Sequence, residues 1–199
     1  MFPVNAMFHI PVQLLRLESH LGNLYPYNNT LTGEIHSEIF NLKHLRKNFI
    51  FENQVSGLIP GEMGAKNNLT GIDVIGDHLS GTIPPTLCSS IKLEPLLLGN
   101  NLFEGEIPLE IGNCHSLRQL TLNHNCLTGI IPIQFLGSNL HIDYMDTKDN
   151  NLQGEIPSSL GRRKNLSSTD LSKNILSSLF LQNWGNCPIS CESISVPTD

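Results

Sequence analysis

The side chains best suited to chemistry in this chain are its five cysteines and eight histidines. The histidines form no His-Glu-x-x-His pair, the spacing that puts two metal ligands on one face of a helix. Cys187 and Cys191 lie close together in the sequence, but two thiols alone are too few to hold zinc. No Gly-rich phosphate loop, Gly-x-Ser-x-Gly motif or kinase motif occurs. We therefore predict no catalytic residue, no metal site and no cofactor.

Three Asn-x-Ser/Thr sequences are candidate acceptors for N-linked glycans, and they begin at Asn28, Asn68 and Asn165. Such sequences arise often by chance, and Asn-Leu-Ser/Thr also follows partly from the repeat described below. If the chain is secreted, we expect glycans at Asn68 and Asn165 in particular.

The elements that position these residues follow from a repeat of 24 residues. Residues 101–108 read Asn-Leu-Phe-Glu-Gly-Glu-Ile-Pro, and residues 125–132 read Asn-Cys-Leu-Thr-Gly-Ile-Ile-Pro. The first position of this motif recurs along the chain at Asn29, Asn53, Asp77, Asn101, Asn125, Asn150 and Asn174. A period of this size predicts a stacked array of similar units, not a globule around one central core.

Each unit also has apolar residues before its asparagine position, as at Leu117, Leu120 and Leu122 before Asn125. The last two are spaced as on a strand, so they point into the stack while the residues between them point outward. The asparagine amide can donate to and accept from backbone groups at the following turn, which predicts a ladder along the stack. Asp77 lacks a donor and should form a weaker rung.

This pattern resembles the plant-type leucine-rich repeat, LxxLxLxxNxLxGxIPxxLGxLxx, over nearly the whole chain. The Gly-x-Ile-Pro element is typical of plant receptor-like kinases, receptor-like proteins and polygalacturonase inhibitors. The resemblance implies an α/β leucine-rich-repeat solenoid, a curved right-handed superhelix with a concave parallel β-sheet and a convex side rich in loops and 3₁₀ turns. We expect residues 1–199 to form one solenoid of about seven repeats, with partial or degenerate repeats at both ends.

In the resembled family, cysteine pairs usually cap both ends of the solenoid. The first cysteine here is Cys88, so an N-terminal cap of that kind is missing. Cys114 and Cys187 occupy the same position in their units, which favours both as small, partly buried apolar residues on the convex side. The alternative is a Cys187–Cys191 cap disulfide. An odd number of cysteines leaves at least one thiol unpaired.

The outward strand positions are the best candidates for partner binding. They are Tyr25, Tyr27, Phe49, Phe51, Asp73, Leu97, Gln119, Thr121, Tyr144, Asp146 and Lys148. The first four are predicted to form an exposed aromatic patch on adjacent strands. The alternative is a patch that packs only on itself or is covered by further N-terminal residues.

Farther along, Tyr144, Asp146 and Lys148 form a polar patch that suits a peptide, although any solvated sheet face looks similar. His124 is predicted to face outward beside Asp146 or Lys148, as a solvated residue and not a catalytic one.

A net charge of −6, with 12 Lys and Arg residues, lacks the basic footprint of a nucleic-acid-binding protein. No stretch of 18 apolar residues predicts a transmembrane helix, and the first residues do not read as a signal peptide. Because the resembled proteins are secreted and membrane-anchored, we expect a fragment, a truncated gene product or a mispredicted start of an extracellular or plasma-membrane protein. We expect no membrane contact within this chain.

The resemblance implies a module that binds a peptide or protein ligand in cell-surface signalling or defence, with a co-receptor ectodomain as a further candidate partner. The kinase domain of the resembled receptors is absent from this chain, so it is not expected to be an enzyme. A secreted protein similar to polygalacturonase inhibitors is the alternative, since those proteins share the repeat and also bind through the concave face.

Overall fold

Seven short parallel strands, one from each repeat, form the main sheet of this computed structural model, which describes residues 22–42, 44–65, 68–89, 92–136, 141–156 and 166–177. The strands are β1 Asn23–Leu24, β3 Lys47–Phe49, β5 Gly71–Asp73, β7 Pro95–Leu97, β9 Gln119–Thr121, β11 Tyr144–Asp146 and β13 Ser168–Asp170. Strands of consecutive repeats are neighbours in the sheet. This arrangement confirms the predicted solenoid.

The segment after each asparagine position forms a further strand. Five of these strands build a second parallel sheet from β2 Thr32–Glu34, β4 Gln54–Leu58, β6 His78–Thr82, β8 Leu102–Glu106 and β10 Cys126–Thr128. The strands β12 Gln153–Glu155 and β14 Ile175–Ser177 pair with each other. The resemblance implied loops and 3₁₀ turns after the main sheet, and the repeat pattern did not predict this second sheet. It forms because buried residues such as Phe103 and Leu127 alternate with exposed ones.

In the described part of the chain, four 3₁₀ helices follow strands of the second sheet, at Ser37–Asn41, Pro85–Ser89, Leu109–Asn113 and Ile133–Leu136. The core lies between these helices and the two sheets. Leu96, Leu98, Leu120 and Leu122 are fully buried, as their spacing predicted. Burying a leucine side chain stabilises the folded state by about 1.5–3 kcal/mol, and here each one packs between its own unit and the next.

The predicted asparagine ladder is present. The Asn101 amide nitrogen donates to the Val74 carbonyl of the preceding unit at 2.7 Å, and its oxygen accepts from the Leu79 N–H at 3.0 Å. Asp77 reproduces half of this arrangement, because one carboxyl oxygen accepts from the Val55 N–H at 3.0 Å. Its other oxygen is buried and has no hydrogen-bond partner among the described residues.

The residue before each ladder position adopts a left-handed backbone conformation. The positions and their φ values are Asn28 at 51°, Glu52 at 57°, Gly76 at 73°, Asn100 at 53°, His124 at 53°, Asp149 at 57° and Lys173 at 53°. This conformation is unfavourable for a residue with a Cβ. The repeat pattern did not predict it, because glycine occupies only one of these seven positions.

The cysteines require a correction to the sequence analysis. Cys114 is not an unpaired apolar residue, because it forms a disulfide with Cys88, with the two Cα atoms 5.3 Å apart. Consecutive units are stacked, so the end of the 3₁₀ helix Pro85–Ser89 lies beside the end of Leu109–Asn113. Cys126 is free and exposed. The proposed pair Cys187 and Cys191 lies outside the described residues.

Three polar residues occupy buried positions where the repeat expects leucine: Asn48, Thr147 and Thr169. Their side-chain polar atoms have no hydrogen-bond partner in the described part of the chain. A buried amide or hydroxyl without a partner costs on the order of 1–3 kcal/mol. These positions therefore weaken the interfaces between their unit and its neighbours.

Candidate binding face

The main sheet places all eleven predicted partner-binding residues on one surface, which we call the outer face. The strand register aligns equivalent residues of consecutive units, as in the row Phe49, Asp73, Leu97, Thr121 and Asp146. Adjacent parallel strands lie about 4.8 Å apart, so neighbours in a row are within contact range. The sheet therefore gathers side chains from the whole stack into one continuous surface.

Tyr25, Tyr27, Phe49 and Phe51 form the aromatic quartet of this face. The rings of Tyr25 and Phe49 meet edge to face, with centroids 5.3 Å apart and planes at 63°. The rings of Tyr27 and Phe51 are stacked, with centroids 5.1 Å apart and planes at 4°. The predicted contacts are confirmed, and Tyr25 and Tyr27 remain 44% and 53% exposed. The four rings thus pack as two pairs and still present an aromatic surface to solvent.

Gly71 gives the quartet its flat border on strand β5. A Cβ at Gly71 would lie 3.0 Å from a Phe49 ring carbon and 3.1 Å from Pro95 Cγ. The Phe49 ring therefore lies over the Gly71 backbone, and a larger residue at position 71 would push it away. On the same strand as Phe49, the Lys47 ammonium lies 5.8 Å from the ring centroid, within range of a cation–π contact.

Two carboxylates border the quartet. Asp73 is the direct neighbour of Phe49 in the next strand, and Glu52 follows Phe51 in the chain. Burial raises the pKa of Asp73 above its usual value and the charge of Glu52 raises it further, while the hydrogen bond from the Ile75 N–H opposes both. Neither carboxylate forms a salt bridge within the described residues.

In the polar patch at the other end of the face, the polar side chains form contacts with one another. The Lys148 ammonium lies 3.7 Å from a carboxylate oxygen of Asp170, and Asp146 accepts a hydrogen bond from the Lys148 N–H at 3.0 Å. Burial raises the pKa of Tyr144, and the charges of Asp146 and Asp170 and a hydrogen bond to Asp146 act in the same direction. Burial also raises the pKa of Asp146, while the hydrogen bond from the Lys148 N–H lowers it. Tyr144 therefore stays neutral, and its hydroxyl donates to Asp146.

The aspartates of the outer face have a structural role as well. Asp73, Asp146 and Asp170 each accept a hydrogen bond from the N–H two residues later, at 3.2, 3.0 and 2.9 Å. This local turn favours aspartate or asparagine at the end of a strand. One oxygen of each carboxylate is occupied in this way, and the second oxygen of Asp170 lies 3.7 Å from the Lys148 ammonium.

One outer-face prediction needs correction, and another gains a contact that was not predicted. Thr121 was expected to be outward and accessible, but it is only 8% exposed. It lies between Leu97 and Asp146 in its row, so its neighbours cover it. His124 is exposed and lies beside Lys148 as expected, because its N–H donates to the Lys148 carbonyl at 2.8 Å, and its Nδ1 atom also lies 2.7 Å from a carboxylate oxygen of Asp149. The left-handed backbone at His124 and Asp149 explains this pairing, which strand periodicity could not predict.

The predicted glycan acceptors Asn28 and Asn68 are both exposed. Asn68 lies just before strand β5, and Asn28 lies just after the quartet residue Tyr27. Asn165 lies outside the described residues. Glycosylation at all three stays a prediction.

Within the described residues, no group of three His, Cys, Asp or Glu side chains could hold a metal ion. None of the helices in the same ranges is long and apolar enough to cross a membrane.

The fold is that of a leucine-rich-repeat solenoid. A family model described as Leucine Rich Repeat matches residues 116–137. No curated protein matches the chain. Among solved structures, the chain is similar to ectodomains of plant receptor kinases, as the repeat motif had implied.

One such structure is PEPR1 with AtPEP1, at 38% identity and a TM-score of 0.83, covering 88% of this chain and 24% of that chain. A plant ice-binding protein matches at 34% identity and a TM-score of 0.77, covering 84% of this chain and 54% of that chain. The Arabidopsis receptor kinase HAESA, in complex with the peptide hormone IDA and the co-receptor SERK1, matches at 28% identity and a TM-score of 0.66. This match covers 77% of this chain and 30% of that chain. This chain thus spans between 24% and 54% of the length of these three structures.

Proposed function

We propose that this chain is a recognition module that binds a peptide or protein ligand through the outer face of its main sheet. We further propose that it acts as part of the ectodomain of a plant cell-surface receptor, in signalling or defence. The observation that carries the proposal is the exposed aromatic quartet on a row of aligned strands, because a solvent-exposed aromatic patch of this kind marks a partner site.

The similar proteins support this class of ligand. PEPR1 was solved with AtPEP1, and HAESA with a peptide hormone and a co-receptor. By analogy, a peptide is the first candidate partner here and a co-receptor ectodomain the second. The Cys88–Cys114 disulfide supports an extracellular location, since disulfides persist in oxidising compartments.

The physical basis of binding would be a preformed surface. Backbone hydrogen bonds between neighbouring strands hold the outward side chains in place, so little conformational entropy is lost on association. The aromatic quartet offers apolar area for burial, and Tyr144, Asp146 and Lys148 offer polar contacts that fix the orientation of the ligand. A binding site of this composition has an apolar anchor and a polar region that gives specificity.

The test is a selection of peptides from a phage-displayed random library on the purified chain, followed by affinity measurement with synthetic peptides. Tyr27→Ala/Phe51→Ala and Tyr144→Ala/Lys148→Ala should each weaken binding about tenfold where the altered patch is a hot spot. The matched control is Glu110→Ala, which changes an accessible side chain on a 3₁₀ helix away from the outer face. Circular dichroism of each variant checks that the fold is retained.

Two results would contradict the proposal. One is that no peptide is selected, and the other is that Glu110→Ala abolishes binding while both outer-face variants bind like the parent. Inhibition of a purified polygalacturonase by the chain would instead support the inhibitor class.

A further inference from the structure

The two ends of the outer face differ in how their charges are balanced. At the polar patch, Lys148 lies 3.7 Å from Asp170, and Asp149 lies 2.7 Å from His124 and 4.0 Å from Lys173. These carboxylates already have basic partners within the chain. At the end with the aromatic quartet, the carboxylates have no salt-bridge partner among the described residues.

Asp73 and Glu52 are the carboxylates at that end. They are close enough for the charge of Glu52 to disfavour ionisation of Asp73. Lys47, the basic residue of strand β3, contacts the Phe49 ring and forms no salt bridge with either carboxylate among the described residues. Two neighbouring negative charges without a counter-charge disfavour each other, and a cation placed between them would relieve this repulsion.

The aromatic rings lie directly beside these carboxylates. Phe49 is paired in register with Asp73, and Phe51 immediately precedes Glu52. A cationic side chain at this border would contact ring surface and carboxylate oxygens together. The contact between Lys47 and Phe49 shows that these rings accept a cation.

We propose that Asp73, Glu52 and the aromatic quartet form a subsite for an arginine or lysine side chain of a peptide ligand, with an apolar ligand residue beside it on the rings. This inference rests on the proposed function, because it names the chemistry of the ligand for the same face. Arginine fits the subsite better than lysine, since its planar guanidinium stacks on aromatic rings and can also donate two parallel hydrogen bonds to a carboxylate.

The charge requirement can be separated from the shape of the site. Glu52→Gln/Asp73→Asn removes both charges and keeps similar side-chain sizes, and asparagine at position 73 retains an oxygen for the Ile75 N–H. The matched control is Glu104→Gln/Glu106→Gln, which removes the same charge from exposed positions on strand β8 of the second sheet.

The experiment selects peptides from a phage-displayed random library on the full chain and, in parallel, on both double variants. Pools from the parent and from the β8 control should be enriched in arginine or lysine next to an aromatic or aliphatic residue. The pool from Glu52→Gln/Asp73→Asn should keep the apolar residue and lose the basic one.

A second measurement uses individual synthetic peptides from the parent pool, each made with arginine and with its neutral analogue citrulline. Calorimetry should show about tenfold weaker binding of the citrulline peptide to the parent chain, and about equal binding of the two peptides to Glu52→Gln/Asp73→Asn. The advantage of arginine should also shrink as salt is added. Thermal unfolding of each variant confirms that it is folded.

The possible failures point to different conclusions. Peptides that bind through Tyr144 and Lys148 and carry no basic residue would overturn this subsite but leave the proposed function standing. An equal arginine preference for the parent and for Glu52→Gln/Asp73→Asn would overturn it in the same way. Failure to select any peptide on any form of the chain would overturn both proposals.

Discussion

Replacing Asp77 with asparagine should stabilise the chain at alkaline pH and have little effect at acidic pH. At the equivalent rung, the Asn101 amide donates to the carbonyls of Val74, Leu98 and Gly99. The corresponding oxygen of Asp77 is buried without a hydrogen-bond partner among the described residues. An ionised carboxylate cannot donate to carbonyl oxygens, whereas a protonated carboxyl or an amide can.

The pKa of Asp77 gives the size and sign of the effect. Burial raises it from 3.8 to about 7, the N–H groups of Val55 and Asn53 oppose the rise, and the charge of Asp73 adds to it. Because the folded chain holds the proton more tightly than the unfolded chain, protonation favours the folded state. That contribution is fully present below pH 3.8 and is lost as the pH rises through about 7.

The magnitude follows from linkage. One unit of pKa difference between the folded and unfolded states corresponds to about 1.4 kcal/mol. Between about pH 5 and about pH 8, Asp77 should therefore cost the parent up to about 3 kcal/mol of stability. Solvent near the ladder reduces this, and we expect about 2 kcal/mol, or about 5 °C in the thermal midpoint.

The assay is thermal unfolding of the parent and of Asp77→Asn by circular dichroism across this pH range. The variant should gain its advantage as the pH rises, since other titrating groups are common to both proteins and cancel in the difference. A difference that does not change with pH, or a variant less stable than the parent at about pH 8, would refute the reasoning. The carboxyl carbon of Asp77, followed by NMR, should titrate near neutral pH.

Three further predictions concern the stack. At about pH 8, Asn125→Ala should lower the unfolding midpoint more than Asp77→Ala, because Asn125 donates to three carbonyls and accepts from one N–H while Asp77 has lost its donor; equal or reversed shifts in denaturant melts would contradict the ladder. Gly81→Ala should lower the free energy of unfolding by about 1–2 kcal/mol, because φ is +73° at Gly81 and the Leu58 side chain of the preceding unit lies against its backbone. A melt as stable as the parent would show that the backbone relaxes. Removing the Cys88–Cys114 disulfide, which closes a loop with a sequence separation of 26, should cost about 3 kcal/mol, and a reducing agent should lower the midpoint of the parent but not of Cys88→Ser/Cys114→Ser.

The sequence predicted the main sheet and the aromatic quartet for the same reason. In a stacked array, the period fixes which residues are neighbours, so Tyr25 must lie beside Phe49 and Tyr27 beside Phe51. The strand period fixes which side chains are buried, and Leu120 is buried as it required. Both conclusions depend on spacing alone and need no distances.

The disulfide, the exposure of side chains and the pKa values depend on how side chains of adjacent repeat units pack together, and only the tertiary structure decided these. The repeat gave no signal for the Cys88–Cys114 disulfide, because the two cysteines occupy different positions within their units and meet only when the 3₁₀ helices stack. The accessibility of Thr121 and the pKa of Asp77 likewise depend on side chains and carbonyls contributed by adjacent units. A repeat determines which residues meet, but burial and charge depend on distances of a few ångströms, which exist only in the folded stack.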